Sequence, residues 1–145
     1  MIDKGRAVIV AGGEIRSYSA IRKYLGSEDY YIFCDSGLYH KEGLGVEVDT
    51  VIGDFDSHPI PLDIQDKVIL PTVKDDTDSL SGVKLGFSKG FTSFLLLGMT
   101  GRRIDHTLAN IYLLDYIDSH GGKGLMVDDW CEMEIVGKEK KTIPY

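Results

Sequence analysis

At 145 residues the chain has the length of one domain with its own core, and 43% hydrophobic with 27% charged residues is the balance of a soluble globular protein. A formal net charge of −7 argues against a nucleic-acid partner held through phosphate contacts, and requires that any phosphorylated ligand come with a metal ion or meet a local basic spot. The longest apolar run, Phe94-Leu95-Leu96-Leu97, is too short to span a bilayer and no secretory leader opens the chain, so no membrane partner is expected and the expected compartment is the cytoplasm.

Taken in order, Arg6–Val10 reads as a buried strand ended by Ala11-Gly12-Gly13. Apolar positions at Ile15, Tyr18, Ile21, Tyr24 and Leu25 then follow helical spacing. Tyr30–Cys34 is a second strand, closed by Asp35-Ser36-Gly37, and a short helix or irregular segment around Lys41-Glu42-Gly43 leads to a third strand at Thr50–Gly53. His58-Pro59-Ile60-Pro61 interrupts the pattern, and Lys67–Leu70 is a fourth strand. Leu80, Val83 and Phe87 mark a helix that stops at Gly90, and Ser93–Leu97 is the fifth and most apolar strand. A helix from about Asp105 to Ser119 is apolar nearly all round, which predicts burial on more than one face. Leu125–Val127 is a sixth strand and Met133–Val136 a candidate seventh. Cys34 and Cys131 sit in or beside apolar segments and are expected as two buried free thiols.

Strands alternating with helices predict an α/β fold: a three-layer sandwich around a mainly parallel sheet of about six strands, Rossmann-like. Five strands in turn run into glycine or aspartate clusters, whereas the helix-to-strand connections carry few of them. That asymmetry predicts Asp35, Asp54, Asp75 and Asp105 on loops at one edge of the sheet, the carboxyl edge, where open α/β sheets bind ligands.

The clusters carry the chemistry. Asp54 and Asp56, one residue apart after a strand, repel each other unless a cation lies between them, so hard-metal coordination competes with an Asp-rich turn. Lys74-Asp75-Asp76-Thr77-Asp78 contains a helix start, with Thr77 or Asp76 as N-cap, but a cap does not explain three aspartates and a lysine in five residues. Gly98–Arg103 resembles a phosphate-cradling loop ahead of a helix, though it is neither a Walker loop nor a GxGxxG fingerprint. Arg102 and Arg103 could clamp phosphate oxygens or form a solvated pair. His106 at the helix start has a direct role or a structural one, and Asn110 falls one turn later on the same side. His40, His58 and His120 have no suggestive company, Tyr112 and Tyr116 read as packing residues, and Trp130 beside Asp128 and Asp129 fits core, interface or ligand platform equally. A pocket lined by so many aspartates holds a nucleotide triphosphate only with divalent metal, which favours metal-assisted phosphoryl-type transfer.

Three of these motifs stand in the order of a known family. Gly53-Asp54-Phe55-Asp56-Ser57, Lys74-Asp75-Asp76-Thr77-Asp78 and Gly101-Arg102-Arg103-Ile104-Asp105-His106-Thr107-Leu108-Ala109-Asn110 resemble the motifs of thiamine pyrophosphokinases, as do Ala11-Gly12-Gly13 and Cys34-Asp35-Ser36-Gly37, over roughly Val8 to Asp129. The resemblance implies Mg²⁺-dependent transfer of a diphosphate from ATP to thiamine, giving thiamine diphosphate and AMP. It implies metal held at Asp54, Asp56 and Asp78, and a catalytic set that adds Asp75, Arg103 and Asp105, with the general base left open among the aspartates. It implies nucleotide contacts at Gly12, Gly13, Asp35, Ser36, Lys74, Thr77, Thr100, Gly101, Arg102, Arg103, His106 and Asn110, and a homodimer with the active site near the subunit boundary.

This sequence departs from the family at Arg102, where glycine is usual, and at Val48, where proline is frequent. Family members also carry a second, all-β domain that helps form the thiamine site. Residues 1–130 are therefore expected to be the catalytic unit and 131–145 the start of a linker or of that β domain. The competing readings are diphosphate transfer to another small alcohol such as a hydroxymethylpterin, a nucleotide-binding module without catalysis, and a metal-dependent phosphohydrolase.

Overall fold

Six short apolar runs form the strands of a single sheet: β1 (Ala7–Val10), β2 (Tyr30–Cys34), β3 (Thr50–Gly53), β4 (Lys67–Ile69), β5 (Ser93–Leu97) and β6 (Lys123–Val127). The computed structural model describes residues 5–53, 67–69 and 76–137. These six strands pair in parallel, and a two-residue strand β7 (Glu132–Met133) pairs antiparallel with β6, giving the order β4-β3-β2-β1-β5-β6-β7. The mainly parallel α/β sandwich expected from the sequence is thus present, with one strand more than six.

The central strands are buried on both sides, as a covered parallel sheet requires. Along β1, Ala7 and Ile9 join a core with Val83 of helix α3 (Asp78–Ser88) and Leu113, Leu114 and Ile117 of helix α4 (Ile104–Ser119). Val8 and Val10 face the opposite way, toward Ile21 of helix α1 (Tyr18–Arg22) and Leu44 of helix α2 (Lys41–Leu44). The period-2 alternation of each strand therefore feeds two cores, one per face. A 3₁₀ turn over Asp35–His40 joins β2 to α2.

Four expectations need correction. The helix expected from Ile15 to Leu25 shrinks to the five residues of α1: Ser17 is its N-cap, the Arg16 and Ser17 amides donate to the Asp129 carboxylate at 2.9 Å, and past Arg22 the Tyr24 and Leu25 amides make tighter three-residue bonds to Ile21 and Arg22. Cys131 is exposed rather than buried, on the turn between β6 and β7; both cysteines are free and Cys34 is buried. Helix α4 buries only Leu113, Leu114 and Ile117, since one sheet face and α3 cover one side of it; Ile104, Leu108 and Tyr112 stay exposed. Tyr116 does pack, against Phe87 and the ring of His120, but Tyr112 is 72% exposed. Among the described residues no helix is long and apolar enough to cross a membrane.

The 3₁₀ turn is pressed onto the end of β1. A Cβ on Gly37 would stand 2.4 Å from the Val10 carbonyl oxygen and 2.8 Å from that of Ala11, both backbone atoms that cannot swing away. Gly37→Ala should therefore destabilise the domain by about 1–3 kcal/mol, the usual cost of forcing a methyl into packed structure. Urea unfolding measures it, and an unchanged midpoint would show that the turn can lift off the strand.

Candidate active site

The chain travels one way across the sheet from β1 to β4, returns through α3, and travels the other way from β5 to β7. The reversal lies between β1 and β5, so the loops leaving those two neighbours diverge at the carboxyl edge and leave a crevice. A cavity of about 570 Å³ occupies it, lined by residues 11–14 after β1, 98–103 after β5, Ser36 and Tyr39 of the 3₁₀ turn, and the first turns of α3 and α4.

Backbone hydrogen bonds hold the two loops together. The amide of Ala11 donates to Leu97 (2.9 Å), that of Gly13 to Gly98 (2.6 Å) and that of Glu14 to Thr100 (3.0 Å). Glycine is needed at 98, where φ is +67° and a Cβ would lie 2.2 Å from the Ala11 carbonyl oxygen. Side chains fix the remainder of the second loop. Asn110 donates to the Met99 carbonyl (2.9 Å), and the Thr107 hydroxyl accepts from the Gly101 amide (3.2 Å) while donating to the Arg103 carbonyl (3.1 Å). From the β6–β7 turn, Asp128 accepts the Thr100 hydroxyl (3.0 Å) and the amides of Trp130 and Cys131 (2.8 Å each). Burial pushes the Asp128 carboxyl up, but these donors outweigh it and leave its pKa below the ordinary value.

Two helices point their N-termini at the cavity. Thr77 caps α3 by accepting from the Leu80 amide (3.2 Å), and Asp78 follows in the first turn on the cavity wall, where the helix dipole favours a carboxylate. Asp76 turns aside to pair with Lys84 at 2.6 Å. At α4 the N-cap residue Arg103 makes no capping bond with its side chain; its guanidinium instead grips Asp105 through two bonds of 3.1 and 2.6 Å. This exposed pair holds the Asp105 carboxyl below its usual range, chiefly through the hydrogen bond from Arg103.

Of the sequence-predicted residues, the structure gathers Gly12, Gly13, Ser36, Thr77, Asp78, Thr100, Gly101, Arg102, Arg103, His106 and Asn110 on one cavity. Asp105 is not on the lining and reaches it only through Arg103. Asp35 also stands off the lining: it is buried, with its carboxyl group packed against Gly53. Asp54, Asp56, Lys74 and Asp75 lie outside the described residues. Among the described residues no three His, Cys, Asp or Glu side chains cluster as a metal site, while Asp78 brings to the cavity the hard oxygen donor that Mg²⁺ prefers.

Sequence reading passed over Glu14, Tyr39 and Ser79 on the lining, and misjudged His40. Far from lacking company, His40 is fully buried, 2.7 Å from both the Tyr18 hydroxyl and the Gly13 carbonyl. No local signal marks it, because Gly13 is 27 residues away along the chain. Trp130 is 79% exposed, which removes the core reading for it.

A parallel sheet with its cavity at the reversal of strand order, flanked by two helix N-termini, defines a doubly wound α/β domain of the Rossmann-like class. Within that class the chain belongs to the thiamin pyrophosphokinase catalytic domain family, whose model matches residues 21–123. Thiamine pyrophosphokinase from Bacillus subtilis has a similar structure, with TM-score 0.70 at 27% identity over 86% of this chain and 61% of that one. The enzyme from Geobacillus thermodenitrificans gives 0.69 at 26% identity, covering 86% and 60%. The protein from Candida albicans, at 13% identity and TM-score 0.58, shares the fold. The chain spans about three fifths of the length of these relatives. No curated protein matches it by sequence.

The surroundings of His40 have a consequence for pH. Burial lowers its pKa from the ordinary 6.5, against smaller opposing effects of the Gly13 bond and of Asp129. The unfolded chain therefore takes up this proton first, so the stability carried by the neutral ring is complete above about pH 6.5 and is lost as pH falls toward the folded value. Urea midpoints should drop in the wild type as pH falls below about 6.5. In His40→Gln, which has nothing to titrate there, that part of the slope should vanish.

Proposed function

We propose that this chain carries the diphosphate-transfer chemistry of thiamine diphosphate synthesis: the thiamine hydroxyl oxygen bonds to the β-phosphorus of ATP, the bond from that phosphorus to the α–β bridging oxygen breaks, and AMP leaves with that oxygen. The observation that supports it is the cavity at the strand reversal, with two helix N-termini and two arginines, in a chain of the thiamin pyrophosphokinase catalytic domain family.

In this reading the α4 N-terminus and Arg102 draw phosphate oxygens into the cavity. Arg103 exchanges part of its grip on Asp105 for the charge that grows on the bridging oxygen, which a preorganised donor stabilises best. Ser36, Thr77 and Thr100 offer hydroxyls, Gly101 lets the triphosphate approach the backbone, Gly12 and Gly13 form the rigid wall against which it lies, and His106 and Asn110 complete the site. Asp54, Asp56 and Asp78 would hold Mg²⁺, which would supply the positive charge that screens the repulsion between carboxylates and phosphates. One aspartate of the set Asp54, Asp56, Asp75, Asp78 and Asp105 takes the hydroxyl proton. Lys74 flanks the nucleotide in the same reading, and Asp35 supports the cavity from behind its wall, beside Gly53. Residues 1–130 form the catalytic unit and 131–145 lead toward the part that completes the thiamine site. The free thiols suit a reducing cytoplasm.

Incubation with ATP, Mg²⁺ and thiamine should release AMP only when thiamine is present. AMP release independent of thiamine would point to hydrolysis, and no release to a binding module. Asp54→Asn or Asp56→Asn should abolish the metal-dependent reaction while thermal stability without metal holds or rises, because one repelling carboxylate is gone. Unchanged turnover counts against the metal assignment.

A second copy is the proposed partner. Ile104, Leu108 and Tyr112 recur every fourth residue and form an exposed apolar stripe along α4. A dimer through this stripe should bury more than about 1,000 Å². Sedimentation should show a dimer that Leu108→Lys splits, and a monomeric wild type would refute the stripe as a dimer face.

A further inference from the structure

The β1–α1 loop is gripped from both sides. On one side, the Nε2 of His40 lies 2.7 Å from the Gly13 carbonyl oxygen and its Nδ1 2.7 Å from the Tyr18 hydroxyl. A carbonyl oxygen only accepts, so Nε2 carries the ring proton, and the neutral ring takes the Tyr18 hydroxyl at Nδ1. Tyr39, its ring centroid 3.9 Å from that of His40, donates its hydroxyl to the carbonyls of Gly12 (3.0 Å) and Gly13 (3.2 Å). On the other side, the amides of Gly13 and Glu14 donate to Gly98 and Thr100.

Two consecutive peptide groups therefore act as bridges. The Gly12–Gly13 group receives Tyr39 on its carbonyl and gives its amide to Gly98; the Gly13–Glu14 group receives His40 and gives its amide to Thr100. The bridge has no slack, since a Cβ on Gly13 would stand 2.4 Å from the carbonyl oxygens of both Gly98 and Thr100. A histidine that only filled the core would need neither bond, and here both ring nitrogens are spent and one is spent on the loop.

We propose that His40 is a positioning residue: it sets the plane of the Gly13–Glu14 peptide group and, through the Thr100 carbonyl, the loop that brings Arg102 and Arg103 to the cavity. The inference deepens the nucleotide reading of this cavity and rests on it. Mutation of His40 should then weaken binding of a nucleotide that the ring never touches.

The test uses the 145-residue chain and two readouts: NMR exchange rates of the Gly13 and Glu14 amides, and the Kd for a non-hydrolysable ATP analogue with Mg²⁺. In His40→Ala both amides should exchange at least about tenfold faster and the analogue bind roughly tenfold more weakly, while the amides of β1 and β5 stay protected. His40→Gln carries an N–H to the position of Nε2 and an oxygen for Tyr18, and should restore both readouts. Tyr18→Phe removes only the hydroxyl that steadies the ring and should shift both readouts the same way by less, which keeps the test open if His40→Ala fails to fold. Unchanged amide exchange in the folded variants, or Gln binding the analogue no better than Ala, would overturn the proposal. A wild type that does not bind the analogue would overturn the nucleotide reading instead, and the amide rates would still decide whether His40 sets the loop.

Discussion

The register between β1 and β5 is the constraint on which the site depends. Val10 pairs with Leu97 at the last rung, and one residue later the Ala11 amide still donates to the Leu97 carbonyl. Strand pairing thus continues into the loops, and two segments more than eighty residues apart in sequence leave the sheet side by side. Because β1 next crosses toward β2 and β5 toward β6, the loops must then part. The crevice is a consequence of strand order, and the side chains around it line a gap that the topology has already opened.

The same constraint changes what the glycines do. The sequence suggests glycines that let a phosphate approach the backbone. Structurally, the approach at Gly13 is of loop to loop: its amide and that of Glu14 are spent on Gly98 and Thr100. Buried backbone groups must be paired, and here they are paired within the protein. Attraction for an anion at this cavity therefore falls to arginine side chains and to the α4 N-terminus, while the glycine loop serves as a rigid wall.

Much of this was legible because it is local. Strand ends at Cys34, Gly53 and Leu97 follow from apolar runs stopped by glycine or aspartate, and Thr77 as N-cap with Asp78 behind it follows from helix-capping chemistry. The contribution of residues 98–103 and of Asn110 was readable as a glycine-bearing turn followed by one helical turn. What stayed hidden depends on contacts across the chain. His40 and Tyr39 find the glycine loop 26 or 27 positions away, and Asp128 and Asp129 reach Thr100 and Arg16 over distances of 28 and 113 residues. The N-terminal boundary of α1 was equally hidden, since the Arg16 and Ser17 amides ahead of it find their acceptor in the distant Asp129 carboxylate. Periodicity also misjudged α4, because it counts apolar residues without knowing how many faces the fold can cover.

The charges on the cavity wall make one further step. Among the described lining residues, Arg102 and Arg103 stand against Glu14 and Asp78, so the formal positive and negative charges are equal in number. Half of the cationic pair is already engaged, since Arg103 holds Asp105, an acid just outside the lining. In a chain of net charge −7 such a wall has little attraction to offer a bare triphosphate. An anion of that size becomes stable here only if part of its charge is neutralised before it arrives, as a divalent cation does, or if Asp105 releases Arg103 as it docks. Both routes tie phosphate binding to carboxylates, one through the cation they would hold and one through Asp105, so a wall of balanced charge and a phosphorylated ligand are compatible rather than opposed.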